Sequence, residues 1–158
     1  MSNQPPSPTP SGQTGTESVS GIAFRSARED DTDALVALWD ACGLTRAWND
    51  PRKDIEFARG GTASDVLVGT VDGVVVVSVM VGHDGHRGAV YYVAVAPERQ
   101  GTGLGRAVMA AAGDWLKARG VWKLNLMVRR ENSGAIGFYE GLGYEESEVV
   151  VLAKRLDA

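Results

Sequence analysis

The chain is poor in the residues that staple, ligate or anchor a protein. It has one cysteine, Cys42, among 158 residues, which excludes an internal disulfide and suits a reducing compartment. Its two histidines, His83 and His86, share a loop with Asp84. That grouping hints at a metal, but a solvated loop accounts for it better, so no metal is expected. Basic residues are outnumbered, 16 Lys and Arg against 20 Asp and Glu. No basic run carries interleaved aromatics, which argues against a nucleic-acid partner. The longest apolar run, Val74 to Val81 with Ser78 inside, is too short to span a bilayer. The N-terminus has no basic region followed by an apolar stretch, hence no secretory signal. These absences lead to the expectation of a cytoplasmic protein without a membrane partner.

What is present reads as one domain behind a tail. Residues 1–21 are rich in Pro, Ser, Thr, Gly and Gln, with too little to bury to offset the entropy of ordering them, so a disordered tail is expected. Residues 22–158 form the expected domain. Ile22 to Arg28 predicts a first strand. Asp30 or Asp31 caps a helix to about Cys42, closed by Gly43. Cys42 shares an apolar face with Leu35, Leu38 and Trp39, a packed thiol rather than a nucleophile. Asp50 before Pro51 opens a short helix to about Arg59. Asp65–Val71 and Val74–Val81 predict a hairpin around Asp72-Gly73, and the unbroken Val74–Val77 run predicts a strand buried on both faces. Then come a strand Ala89–Ala96, a helix to about Arg119, a strand Val121–Val128, a helix from Asn132 to about Leu142 and a last strand Glu148–Leu156. This order predicts an α/β fold with a mixed sheet.

One stretch organises the rest: Val93 to Arg106. Pro97 stops the strand, since it has no N–H for the ladder. A glycine-rich turn follows, Gln100-Gly101-Thr102-Gly103-Leu104-Gly105, and a helix begins with Leu104, Ala107, Val108, Ala111 and Trp115 on one face. The turn therefore offers free backbone N–H groups at the positive end of a helix, flanked by Arg99 and Arg106, a cradle for phosphate oxygens. A dinucleotide-binding fingerprint does not fit. Arg106 stands where the third glycine belongs, and Asn125 sits where an acidic strand end is required. A Walker loop fails for want of a closing Gly-Lys-Ser/Thr.

The pattern Gln100-Gly101-Thr102-Gly103-Leu104-Gly105 resembles the acyl-CoA pyrophosphate loop of the GNAT superfamily of N-acetyltransferases. A second stretch, Asn132-Ser133-Gly134-Ala135-Ile136-Gly137-Phe138-Tyr139-Glu140-Gly141-Leu142-Gly143-Tyr144, resembles its second signature. The likeness covers about Ile22 to Leu156. Cys42–Arg46, Trp48–Pro51, Asp84–Gly88 and Lys154–Leu156 are similar to a narrower group, the YpeA-like bacterial acetyltransferases.

The resemblance implies a mostly antiparallel mixed sheet with a V-shaped splay between two parallel strands, Ala89–Ala96 and Val121–Val128, and helices on both faces. It implies transfer of an acetyl group from acetyl-CoA to a primary amine acceptor by direct attack in a ternary complex, in a monomer or homodimer. The alternative is a catalytically silent acyl-CoA-binding regulatory module. A bulge in the strand before the loop would expose the backbone of Val93, Ala94 and Val95 to pantetheine. Gln100, Gly101, Thr102, Gly103, Leu104, Gly105 and Arg106 would hold the pyrophosphate. Asn132 would contact the cofactor, cap its helix, or do both. Tyr139 would stabilise the leaving thiolate by a hydrogen bond or by late protonation, since a phenol near pKa 10 is a poor match for full proton transfer to a thiolate whose acid is near 8.5. In similar protein N-terminal acetyltransferases a Glu lies at the position of Met127, which cannot take a proton. The base is left among His83, Asp84, His86, Tyr91, Tyr92 and a water relay. Trp48, Asn49, Asp50 and Tyr91 are expected in the acceptor pocket, where Asp50, if free rather than capping, would favour a cationic amine.

Overall fold

The computed structural model describes residues 22–157; the tail expected over residues 1–21 lies outside them. The chain forms two compact units, one running to Leu126 and the other beginning at Met127.

The first unit is built on a five-stranded sheet in the order β1-β2-β3-β4-β5. Its strands are β1 Phe24–Ser26, β2 Ser64–Val71, β3 Val74–His83, β4 Gly88–Val95 and β5 Leu124–Asn125. The β2–β3 hairpin turns on Asp72 and Gly73, both at positive φ (51° and 77°), the conformation a two-residue type I′ turn demands. β3 is buried on both faces as predicted: Val77, Val79 and Val81 are fully covered, and so is Ser78 between them. Each such valine contributes roughly 1.5–3 kcal/mol relative to exposure.

Three helices belong to this unit: α1 Thr32–Ala41, α2 Pro51–Ala58 and α3 Leu104–Lys117. They flank the sheet on both sides. Trp39 of α1 donates to Ser78, whereas the His83 ring lies 6.3 Å from Trp115 of α3. Positions 78 and 83 point to opposite faces of a pleated strand. The buried face of α3 is Leu104, Val108, Met109, Ala112 and Leu116, turned slightly from the predicted one.

Some boundaries differ from expectation. The first strand stops at Ser26 because the Asp31 carboxylate accepts from Arg28 N–H at 2.7 Å and from Arg25 at 2.7 Å. The chain thereby turns into a 3₁₀ segment, Glu29–Asp31, and Asp31 does not cap α1 with its side chain. The strand expected over Val121–Val128 contracts to Leu124–Asn125. Its parallel register with β4 spans only Gly88↔Leu124 and Ala89↔Asn125. Beyond that no pairing joins β4 to β5 among the described residues, and the open ladder is the splay. At the vertex, a Cβ added to Gly88 would lie 2.6 Å from Leu116 Cδ1, so any larger residue there has to displace the Leu116 side chain.

The second unit holds helix α4, Ser133–Gly141. The Asn132 side chain accepts from Ala135 N–H at 3.1 Å at its start, and Gly143 follows it at φ 96°. The last predicted strand, Glu148–Leu156, is not formed. A strand needs a ladder partner, and this segment has none among the described residues, leaving Val149 to Leu152 exposed.

Candidate functional site

The turn after β4 has the geometry of an anion cradle. Val95 ends β4, Pro97–Arg99 make a 3₁₀ turn, and Gly103 in the left-handed region (φ 89°) starts α3. Gly101 is also left-handed, at φ 78°. These two φ values are open to glycine at little cost and strain any other residue. The backbone N–H groups from Gly101 through Arg106 donate to no acceptor among the described residues, whereas that of Ala107 returns to Gly103 O. The side chains tie the turn to itself instead: Thr102 donates to Arg99 O, and Gln100 Nε2 to Val95 O at 3.3 Å. A Cβ placed on Gly101 would meet nothing within 4 Å, so the ground in front of the turn is open. Unpaired amides, a helix N-terminus and flanking Arg99 and Arg106 all favour a polyanion.

Ahead of the cradle, β4 is bulged. Against β3 the register jumps from Ser78↔Ala94 to Met80↔Tyr91, so Tyr92 and Val93 together oppose Val79. Tyr92 takes φ 50°, a strained value for an aromatic residue. It is held from several sides. Its ring stacks on Trp39 with centroids 3.7 Å apart. Its carbonyl accepts from Ser78 Oγ at 3.1 Å. Its hydroxyl donates to Asp54 Oδ2 at 2.7 Å and accepts from Asn49 Nδ2 at 2.9 Å. The bulge foreseen before the loop is thus present, next to Val93, Ala94 and Val95. Cys42 Sγ donates to Val95 O at 3.2 Å; burial pushes this thiol's pKa up, consistent with a packed thiol rather than a nucleophile.

Beside the bulge lies an open pocket of about 440 Å³ lined by Leu44, Asn49, Asp54, Met80, Tyr91 and Tyr92. Of the residues expected there, Asn49 and Tyr91 line it. Trp48 does not and is 67% exposed. Asp50 does not either: its Oδ1 accepts from Arg52 N–H at 2.9 Å and caps α2 as expected, so the free carboxylate that its cation-selecting role required is not there. Asp54, one helical turn on, is the carboxylate of this pocket. Sequence reasoning missed it because its partner Tyr92 is 38 residues away, and no local pattern announces the contact.

The candidates for a base narrow. Burial first, then the Asp54 hydrogen bond, hold the Tyr92 phenol well above its usual pKa, so it stays a donor. Asp84 is engaged by backbone N–H of Arg87 and His86, which hold its carboxyl below the usual range. His83 Nδ1 accepts from Gly85 N–H at 3.0 Å. Among the described residues no group of three potential ligands could hold a metal.

In the second unit, Tyr139 lies edge-on to Phe138 and Tyr144, with centroids 5.0 and 5.7 Å away. Burial, then the neighbouring Tyr144, raises its pKa, so its phenol keeps a proton to donate. Met127 is exposed and carries no proton-accepting group.

The chain is similar to known acetyltransferases in sequence and in fold. An acetyltransferase of Pectobacterium atrosepticum is 45% identical over 135 residues, spanning 85% of this chain and 96% of that one. The crystal structure of the ribosomal-protein-S18-alanine N-acetyltransferase from Escherichia coli superposes with TM-score 0.68 at 27% identity, over 80% of this chain and 79% of that one. The structure of AAC(6')-Iy in complex with the bisubstrate analogue CoA-S-monomethyl-acetylneamine shares the fold, with TM-score 0.73 at 17% identity over 85% and 97%. Residues 23–144 match the model of the Acetyltransferase (GNAT) family. With the splayed sheet, the bulge and the glycine turn in place, the chain belongs to that family.

Proposed function

We propose that the chain is an N-acetyltransferase that uses acetyl-CoA and acetylates a primary amine by direct attack in a ternary complex. The observation that carries this is the run of backbone N–H groups from Gly101 through Arg106 that have no partner among the described residues. An anionic diphosphate is the group that such a run, at a helix start between two arginines, accepts most readily. Acetyl-CoA supplies the activated acetyl thioester.

The chain's own residues bind and orient. The splay leaves β4 unpaired towards β5 beyond Ala89, so Val93, Ala94 and Val95 offer backbone to an extended pantetheine arm. An N–H there can face the oxygen on which negative charge grows. Tyr139 keeps its proton and donates it, or a hydrogen bond, to the departing sulfur. Asn132 acts through its cap on α4. The single cysteine suits activity in the reducing cytoplasm.

The test is thiol release from acetyl-CoA across a panel of amines and peptides, with wild type and Tyr139→Phe in parallel. Acceptor-dependent release is expected, and Tyr139→Phe should lower kcat on the order of 10²-fold with acetyl-CoA affinity nearly unchanged. Equal turnover in the variant removes Tyr139 from the chemistry. If no amine is acetylated while acetyl-CoA still raises the melting temperature, the acyl-CoA-binding regulatory module takes over. Met127 in place of a carboxylate is the feature that speaks for it.

A further inference from the structure

Asp54 is a carboxylate that no cation answers. Its Oδ2 accepts from the Tyr92 hydroxyl and from Asn49 Nδ2, both at 2.7 Å. Its Oδ1 has no hydrogen-bond partner among the described residues, and no Lys, Arg or His nitrogen there lies within 4.0 Å of either oxygen. Other ordered carboxylates of this unit are answered differently. Asp31 pairs with Arg25 and Asp33 with Arg52. Asp65 takes the Ser26 hydroxyl together with the N–H of Gly60 and Val66, and Asp50 takes that of Arg52. Asp54 alone among these is fixed by two neutral side chains at the wall of a pocket.

Neutral donors orient a carboxylate without cancelling its charge. The rest of the lining is largely apolar: Leu44, Met80 and the rings of Tyr91 and Tyr92. Such walls lower the local dielectric and strengthen attraction to a cation entering from water. The Tyr91 ring, 47% exposed, adds an aromatic face of the kind that attracts alkylammonium groups. The pocket adjoins the bulge immediately before Val93, so its occupant lies beside the proposed thioester segment.

We infer that this pocket is the acceptor subsite, that it takes an alkylamine carrying a positive charge, and that Asp54 selects it while Asn49 and Tyr92 position the carboxylate. This rests on the N-acetyltransferase reading and names the acceptor class within it. The ammonium docks on Asp54 Oδ1 with its alkyl chain along Leu44 and Met80, the attacking nitrogen first gives up a proton to water, and arylamines, uncharged at neutral pH, gain nothing from the carboxylate.

The experiment has two arms, read on the full chain. In the first, acetylation of 1,5-diaminopentane and of 4-methoxyaniline is compared at neutral pH. Wild type should prefer the diamine by about tenfold or more in kcat/KM, Asp54→Asn should lower that ratio about tenfold, and Asp54→Glu should keep much of it. Added salt should erode the preference in wild type and leave the Asn variant flat, a response that a purely structural role would not produce. In the second arm, calorimetry measures 1,5-diaminopentane binding with no turnover required, and Asp54→Asn should weaken it about tenfold. If Asp54→Asn does not fold, Leu44→Lys answers the carboxylate from the pocket wall and should abolish the preference with Asp54 intact. Diamine binding that is absent in wild type, or equal in wild type and both variants, overturns the inference. Wild-type acetylation of the arylamine as efficient as that of the diamine does the same. Failure to acetylate any amine, with diamine binding intact and Asp54-dependent, overturns the transferase reading and leaves the cation site standing.

Discussion

Two irregular pieces of backbone lie close together in the chain and do opposite things. At Tyr92 a non-glycine residue sits at φ 50°, a strain of order 1–3 kcal/mol, and its polar groups are engaged: the carbonyl by Ser78, the hydroxyl by Asp54 and Asn49, the ring by Trp39. At Gly101 and Gly103 the same region of φ is reached without strain, because the residues are glycine, and the amides that follow have no partner among the described residues. The bulge spends its hydrogen bonds on fixing one side chain. The turn leaves its own N–H groups unpaired among the described residues, open to the phosphates of the proposed cofactor. Substitution should therefore hurt the two regions in opposite ways, the turn by adding atoms and the bulge by removing them.

The largest expected effect tests the first half of that statement. Gly103→Glu places a carboxylate in the cradle and should weaken acetyl-CoA binding about 100-fold or more, as loss of charge-assisted hydrogen bonds of a few kcal/mol requires. Calorimetry reads the affinity and circular dichroism confirms the fold; unchanged affinity in a folded variant refutes the turn as the phosphate site. The other half is tested by Ser78→Ala, which strands the buried Trp39 indole N–H (2.8 Å from Ser78 Oγ) and frees the Tyr92 carbonyl. Urea unfolding should show a loss of about 1–3 kcal/mol, with acetyl-CoA affinity changed far less.

A smaller effect is a pH limb. Tyr92 keeps its proton in the folded chain past the point, near pH 10, at which an unfolded tyrosine loses it. The folded state then binds more protons, so its contribution to stability is complete below about pH 10 and falls as pH rises through the folded value. Thermal melts between pH 9 and 11 should show this decline, and Tyr92→Phe should flatten it. Smallest of all is a control outside both regions. Arg25 holds the Asp31 carboxyl below its usual pKa, backed by Arg28 N–H, so stability present above about pH 4 is lost as pH falls through the folded value. Asp31→Asn should blunt the acid limb of the melting curve and leave acetyl-CoA binding alone.

How much of this was legible in the chain follows from how local each cause is. The Asp72-Gly73 hairpin, the Asp50 cap before Pro51 and the glycine turn after Pro97 are set by a few adjacent residues, and each was readable. β5 and the final segment were over-read because strand length depends on a partner that sequence pattern does not supply: Val121–Val128 is apolar enough, but only Leu124 and Asn125 find β4. The V of the sheet was foreseen from family resemblance, as was the bulge, whereas the residue that pays for it, Tyr92, was not. The pocket was half legible. Asn49 and Tyr91 fall on the segments expected to form it, but choosing Asp54 over Asp50 needs to know that α2 starts by consuming Asp50 and that a bulge turns Tyr92 towards the next turn of that helix.

The contact between Gly88 and Leu116 bears on how such an enzyme could be re-engineered or could drift. Because a Cβ at position 88 has to displace the buried Leu116 side chain, variation that widens the fork meets less resistance from the β5 side or through the loop before Gly88. Libraries that spare position 88 and randomise residues 121–124 should yield folded variants more often than libraries that include it, and lineages exploring new acceptors would change that codon only together with the one for Leu116.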